Sequence, residues 1–361
     1  MYTHPQMDLT LAAIERRLEQ NKLAYGELEL QNGVKLLLLE RGGRVLGPFL
    51  SPRENTLLWA SPALADSDSL GRFVAAGEWN MGGERIWVAP EIQFNVGDRS
   101  DFWGTLSIPT QMDPGDWRLD EQPEGWRLRQ GMTLTANNLA QGEKELWIER
   151  FVHPAADPLA STREYGELLD GVTYAGYEQI VTLREARHDD IMSQAWNVAP
   201  LWPGGQIIIP STPSVDVSDY FEPVDDRHLA RHGHYIALQV TGDCRYKVGI
   251  KAAQSFGRLG YFHPGGGGAQ GAYLIVRNFF NNPSSPYTEE PPQSPGAAGD
   301  SIHVYNDGGL FGGFGELECQ GQAIGGHTGR VASTDQQLLW VYWGSREKVA
   351  RIGRQLLGAE L

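Results

Sequence analysis

Two glutamates, Glu316 and Glu318, lie two residues apart in the strand-like run Phe314 to Gln320. Alternation along a strand places both carboxyls on one face. Two carboxylates facing one pocket repel, so one ionises normally while the other pairs with a cation or keeps its proton to higher pH. At least one of the two is a candidate for a functional role, against a purely structural reading of both. Further upstream, Arg85 and Glu91 flank Trp87 in the run Gly82-Gly83-Glu84-Arg85-Ile86-Trp87-Val88-Ala89-Pro90-Glu91. Inward-facing charges are costly unless paired, so these two either bridge each other or contact a ligand. Arg44 follows Gly42 and Gly43, where the chain can turn tightly and aim a side chain inwards, to hold structure or to meet a ligand. Asp307 opens the turn Asp307-Gly308-Gly309 and could accept hydroxyl hydrogens, and His327 closes a later strand.

Histidines 228, 232 and 234 have a spacing that suggests a metal at first glance. A helix aligns only the first two, and one element presents all three only if extended. A solvated loop is the expectation, with no metal. Cys244 and Cys319 are the two cysteines, so neither a disulfide scaffold nor a zinc cluster is expected.

The elements that must carry these residues are strands. Glycine (44) and proline (21) are abundant over 361 residues, which suits short strands joined by tight turns and argues against a helical bundle. Tyr25 to Leu30 and Val34 to Leu39 flank Asn32-Gly33, a strong hairpin signal. Arg127 to Leu134 and Lys144 to Val152 form a second such pair. Tyr177 to Leu183, Gln206 to Pro210, Tyr235 to Val240, Tyr246 to Lys251, Ala272 to Phe279 and Gln337 to Tyr342 continue the series. No repeat of fixed period appears, which disfavours a propeller.

Helices are expected at the two ends. Asp8 can cap one through about Asn21, with Leu11, Ile14 and Leu18 on one stripe. Ser345 can cap the other, in which Val349, Ile352 and Leu356 share a face before Gly358. The expected organisation is a helical segment over 1–24, one β domain over 25–345 and a helix over 346–361. Two loop-like stretches interrupt the strands: the glycine-rich run His263 to Gly271, and the Pro/Ser/Gly-rich excursion Asn281 to Asp300. Long loops in a compact β protein border a ligand or are mobile. No helix with a Lys-Ser/Thr pair follows the glycines, so no nucleotide and no other cofactor is expected.

The net charge of −15 would repel phosphate backbones and anionic lipid heads, which argues against nucleic acid and membrane surfaces as partners. A neutral sugar is indifferent to it. The 11 Trp and 13 Tyr provide aromatic faces that suit the apolar face of a pyranose, although most are expected in the core. The N-terminus shows no basic stretch followed by a long apolar run, and the expectation is a cytoplasmic protein.

Several pieces, in order, resemble the uncharacterised bacterial relatives of galactose mutarotase and other aldose 1-epimerases. They are Glu40-Arg41-Gly42-Gly43-Arg44-Val45, Asn55-Thr56-Leu57-Leu58-Trp59, the Gly82 to Glu91 run, Asp113-Pro114-Gly115-Asp116-Trp117, Tyr305-Asn306-Asp307-Gly308, and Phe314-Gly315-Glu316-Leu317-Glu318 with Gly326-His327-Thr328. The resemblance covers roughly residues 25 to 345. It implies an all-β, galactose-mutarotase-like antiparallel supersandwich with a carbohydrate on its concave face. It also implies a late-strand glutamate as base, matched best by Glu318 and next by Glu316. Arg44, Arg85, Trp87, Glu91, Asp307 and His327 are the matching candidates for substrate contact. The family's histidine acid comes from a mid-chain strand that corresponds here to Ser193 to Pro200, which contains no histidine; His263 is the candidate substitute. A binding or sensing protein without catalysis on the same scaffold is the alternative.

Overall fold

The structure is a computed structural model that describes residues 7–265 and 271–361. Residues 266–270 of the glycine-rich run and the first six of the chain lie outside the described residues. Among the described residues strands dominate as expected, in sheets of three, ten and six strands, and every strand pair is antiparallel. The Asn32-Gly33 hairpin forms between Tyr25–Glu29 and Lys35–Leu39, with Asn32 at φ 59° and Gly33 at φ 72°. Those positive angles are why Asn-Gly marks such a turn.

The two large sheets form the layers of an antiparallel supersandwich. Val248, Ile250, Ile302, Val304, Leu317 and Cys319 of the six-stranded sheet share one buried cluster with Ile207, Ile209, Leu259, Ile275, Leu339 and Val341 of the ten-stranded sheet. The apolar alternation of each strand decides which face enters this cluster, since a one-residue slip would expose every one of these side chains.

Both terminal helices form. The first runs Leu11–Gln20, starting later than a cap at Asp8 would give. The Asp8 carboxylate instead accepts the hydroxyl of Thr10 at 2.7 Å, and Thr10 becomes the residue before the helix. Leu11, Ile14 and Leu18 pack on Leu37, Leu39, Leu46 and Phe49 of the three-stranded sheet. The last helix, Arg346–Leu357, starts after Ser345 and stops at Gly358 in the left-handed conformation. Val349, Ile352 and Leu356 cover Leu274, Val276 and Tyr342 on the outer face of the ten-stranded sheet. Ile352 is fully buried there. Ile352→Ala should therefore lower the unfolding free energy by about 2–5 kcal/mol, read as a shift in the urea midpoint.

One polar feature sits between the layers. Glu84 is fully buried and accepts from Arg150 Nη2 (2.7 Å), Asn197 Nδ2 (2.8 Å) and Gln179 Nε2 (2.6 Å). The Tyr177 hydroxyl also donates to it, at 2.5 Å, and Arg277 Nη2 pairs with its other oxygen. Its partners come from strands of both large sheets, so the knot ties the sandwich together at its centre.

Candidate functional site

Leu317 and Cys319 enter the core between the sheets, so alternation sends Glu316, Glu318 and Gln320 to the opposite face of the six-stranded sheet. On that face the strand lies between Asp300–Asp307 and Gln194–Leu201, and Arg85–Ala89 pairs next. Lys247 arrives from Arg245–Lys251 on the far side of Asp300–Asp307. Glu316, Glu318, Lys247, Arg85 and Glu91 line one cavity there. Its walls are aromatic: Trp79, Trp87, Trp103, Trp196 and Tyr305, with Phe102, Phe221, Phe311 and Phe314. The cavity volume is about 50 Å³. That admits a few waters.

The charges form an interlocked set. Arg85 Nη2 lies 2.8 Å from Glu316 Oε1, and its guanidinium stacks over the Trp87 ring at 4.1 Å. Lys247 Nζ lies 2.7 Å from Glu91 Oε2 and 3.8 Å from Glu318 Oε2, and 4.6 Å from the Trp196 ring centre. Trp196 Nε1–H donates to Glu318 Oε2 at 2.9 Å. Behind Glu91, the buried Glu289 accepts the Glu91 backbone N–H at 2.5 Å.

Four carboxyls thus meet two cations, and protons are retained near neutrality. Burial pushes the Glu318 carboxyl up to about 8 against the pull of Lys247, with Glu316 and Glu91 adding to the rise. Burial likewise raises Glu289 to about 7, opposed by Lys247 and reinforced by Glu91. Glu316 is also raised by burial, less so because Arg85 opposes it. Burial disfavours the Lys247 ammonium, but Glu318, Glu91 and Glu289 together outweigh it and raise its pKa. The set can hold and release a proton inside the cavity, which is what general acid–base chemistry needs.

The candidates from the sequence divide into two groups. Glu316, Glu318, Arg85, Trp87 and Glu91 come together in the cavity. The bridge considered between Arg85 and Glu91 does not form. Glu91 opens the short helix Glu91–Phe94 after Pro90 and leaves the strand, so it reaches Lys247 while Arg85 meets Glu316.

The remaining candidates lie outside the lining. Arg44 is fully buried behind it and pairs with Asp113, whose Oδ2 also accepts Trp87 Nε1–H at 2.8 Å. Arg44 therefore braces the Trp87 wall from behind. Asp307 accepts the Tyr305 hydroxyl (3.0 Å) and the backbone N–H groups of Phe311 (2.9 Å) and Gly313 (2.8 Å), which ties down the loop carrying Phe311. His263 belongs to the ten-stranded sheet, stacked on Tyr273 at 4.9 Å with Nδ1 2.8 Å from the Gly265 carbonyl oxygen. His327 is exposed beside Leu139 and Tyr287 in a separate groove. Histidines 228, 232 and 234 turn to three different neighbours: Cys244, Tyr235 and the Gly358 carbonyl.

Three contributors escaped the sequence reading: Lys247, Trp196 and Glu289. Lys247 carried a usable signal, because Lys247 and Gly249 alternate with the apolar Tyr246, Val248 and Ile250. Glu289 had no such signal, since it sits in the Asn281 to Asp300 excursion, outside any regular element.

Residues 72–361 match the model of a family described as one of unknown function, DUF6786. The chain belongs to that family. Its matched span includes every residue that lines the cavity. No curated protein matches the chain. Among solved structures, the chain is similar to a galactose mutarotase-like protein from Lactobacillus casei ATCC 334, at 11% identity over 89% of this chain and 99% of that one, TM-score 0.47. A protein from Synechocystis sp. PCC 6803 matches at 13% identity over 95% and 99%, TM-score 0.46. A galactose mutarotase related enzyme from Lactobacillus acidophilus matches at 8% identity over 90% and 97%, TM-score 0.42.

Proposed function

We propose that this DUF6786 member is an aldose 1-epimerase-like protein that binds a sugar in the aromatic cavity and interconverts its anomers, with Glu318 moving the proton. One observation carries the reading. Glu318 lies in a cavity walled by tryptophans, its carboxyl held by Trp196 and faced by Lys247, Glu316 and Glu91. Indole faces suit the apolar side of a pyranose, and the paired carboxylates and cations suit its hydroxyls. Anomer exchange needs one group to take the anomeric hydroxyl proton while another protonates the ring oxygen. Glu318 is assigned the first task, taking the proton in its ionised form beside the Lys247 ammonium. The ordered sequence resemblance to aldose 1-epimerase relatives supports the same assignment.

One-dimensional NMR of anomer exchange across common aldoses tests this. Faster equilibration than in buffer for at least one aldose is expected, and no acceleration for any of them would remove the catalytic claim.

A second reading, sugar binding without turnover, is favoured by one fact: among the described residues no histidine lines the cavity. It predicts a saturable tryptophan fluorescence change on sugar titration with no anomer exchange. A flat titration across a broad sugar panel would count against both readings.

A further inference from the structure

Beside the cavity runs a buried polar chain that the proton transfer above leaves unused. His303 is paired directly across from Glu318 in strands Asp300–Asp307 and Gly315–Gln320, so both side chains leave the same face. On its other side His303 is opposite Gly249. A Cβ at Gly249 would lie 2.3 Å from Asp300 Oδ2 and 2.7 Å from the Tyr220 ring. The glycine leaves the room in which Tyr220 and Asp300 reach His303. The Tyr220 hydroxyl donates to Asp300 Oδ2 at 3.0 Å, and His303 Nε2 lies 3.0 Å from that hydroxyl oxygen. Lys251 Nζ, 3.1 Å from Asp300 Oδ1, anchors the outer end.

These bonds fix the histidine tautomer. With the phenol hydrogen committed to Asp300, Nε2 must carry a hydrogen and donate to the phenol oxygen. Burial, then Lys247 and Lys251, hold His303 well below its usual titration range, so the ring is neutral. Nδ1 therefore carries a lone pair, and it is buried without a protein hydrogen-bond partner. A buried acceptor left without a partner is costly unless a donor or a water reaches it.

We infer that His303 is a positioning residue for Glu318: with its tautomer set by Tyr220 and Asp300, it offers the Nδ1 lone pair to the Glu318 carboxyl across one buried water. The inference rests on the proposed proton-carrying role of Glu318 and names what sets how tightly that carboxyl keeps its proton. The other groups facing Glu318 are Lys247, Glu316, Glu91 and Arg85, with the Trp196 N–H. Tyr220 lies close enough for Glu318 to raise its phenol, after burial, Asp300 and Glu289. None of these groups provides a neutral lone pair of this kind.

The test is a pH titration of tryptophan fluorescence on the full chain, in which Trp196, bonded to Glu318, is the reporter. Tyr220→Phe removes the acceptor of Nε2–H, so the ring can take the other tautomer and donate to the carboxylate. The titration midpoint should then fall by about one pH unit or more. His303→Phe, which removes the lone pair, should shift it in the same direction and serves if Tyr220→Phe does not fold by circular dichroism. Glu318→Gln should abolish the step. An unchanged or higher midpoint in a folded Tyr220→Phe or His303→Phe chain, with the step lost in Glu318→Gln, overturns this inference alone. A step that survives Glu318→Gln overturns it together with the proton-carrying role of Glu318. Absence of sugar turnover leaves this measurement intact, so the two failures are distinguishable.

Discussion

Glu318→Gln is expected to slow anomer exchange by about 10²–10⁴-fold, the usual contribution of a positioned proton-transfer group. Glutamine keeps the shape and can still meet Trp196, so the cavity walls should stand and sugar binding should persist. The loss should therefore fall on kcat more than on KM, the signature of an interaction made in the transition state. The pH profile gives a sharper reading. Burial holds the Glu318 carboxyl up at about 8, so at pH 6 almost all of it is protonated and cannot act as a base. The parent rate should rise with pH and level off above about 8, and the glutamine chain should lose that limb. Equal rates in the two chains would assign the proton to another group. Lys247→Met provides a cross-check: without its ammonium the Glu318 pKa should rise further and the limb should move to higher pH.

Glu84→Ala should be the most destabilising single change in the molecule outside the apolar core. It would leave Arg150 and Arg277 buried without their counter-ion, at a cost of about 3–5 kcal/mol. The parent should show the same dependence in its acid stability. Burial by itself would raise the Glu84 carboxyl, but Arg277, Arg150, Tyr177 and Asn197 outweigh it and bring it down to about 2. A carboxylate depressed in the folded state stabilises the fold above its unfolded pKa, and that stability is lost as pH falls through the folded value. The window is therefore about pH 5 down to pH 2, with about 3 kcal/mol at stake. Urea midpoints measured across that range should drop steeply for the parent and be flatter for Glu84→Gln. A parent curve that is flat between pH 5 and pH 3 would show that the knot does not hold the layers. On the alkaline side the sign reverses. Glu318 and Glu289 are raised to about 8 and about 7, so the stability they contribute is present below the ordinary carboxylate range and is lost as pH rises through those values.

The sequence alone determined element type and side-chain face. Alternation is a local property with a period of two residues, so it put Glu316 and Glu318 together without reference to any partner strand. The Asn32-Gly33 hairpin, the helix start after Ser345 (whose side chain makes no capping hydrogen bond) and the stop at Gly358 were legible for the same reason, since each rests on the conformational limits of a few neighbouring residues. Arg85, Trp87 and Glu91 were found through an ordered motif, but their partners were not: that Arg85 meets Glu316 depends on strands more than 200 residues apart lying two places from each other in one sheet. His263 shows the limit most clearly. It was chosen for its place beside a glycine-rich run, yet its strand belongs to the other layer. His303, directly across from Glu318, carries no motif at all. Which strands become neighbours is settled by burying two whole sheets against each other, and no short stretch of residues encodes that choice.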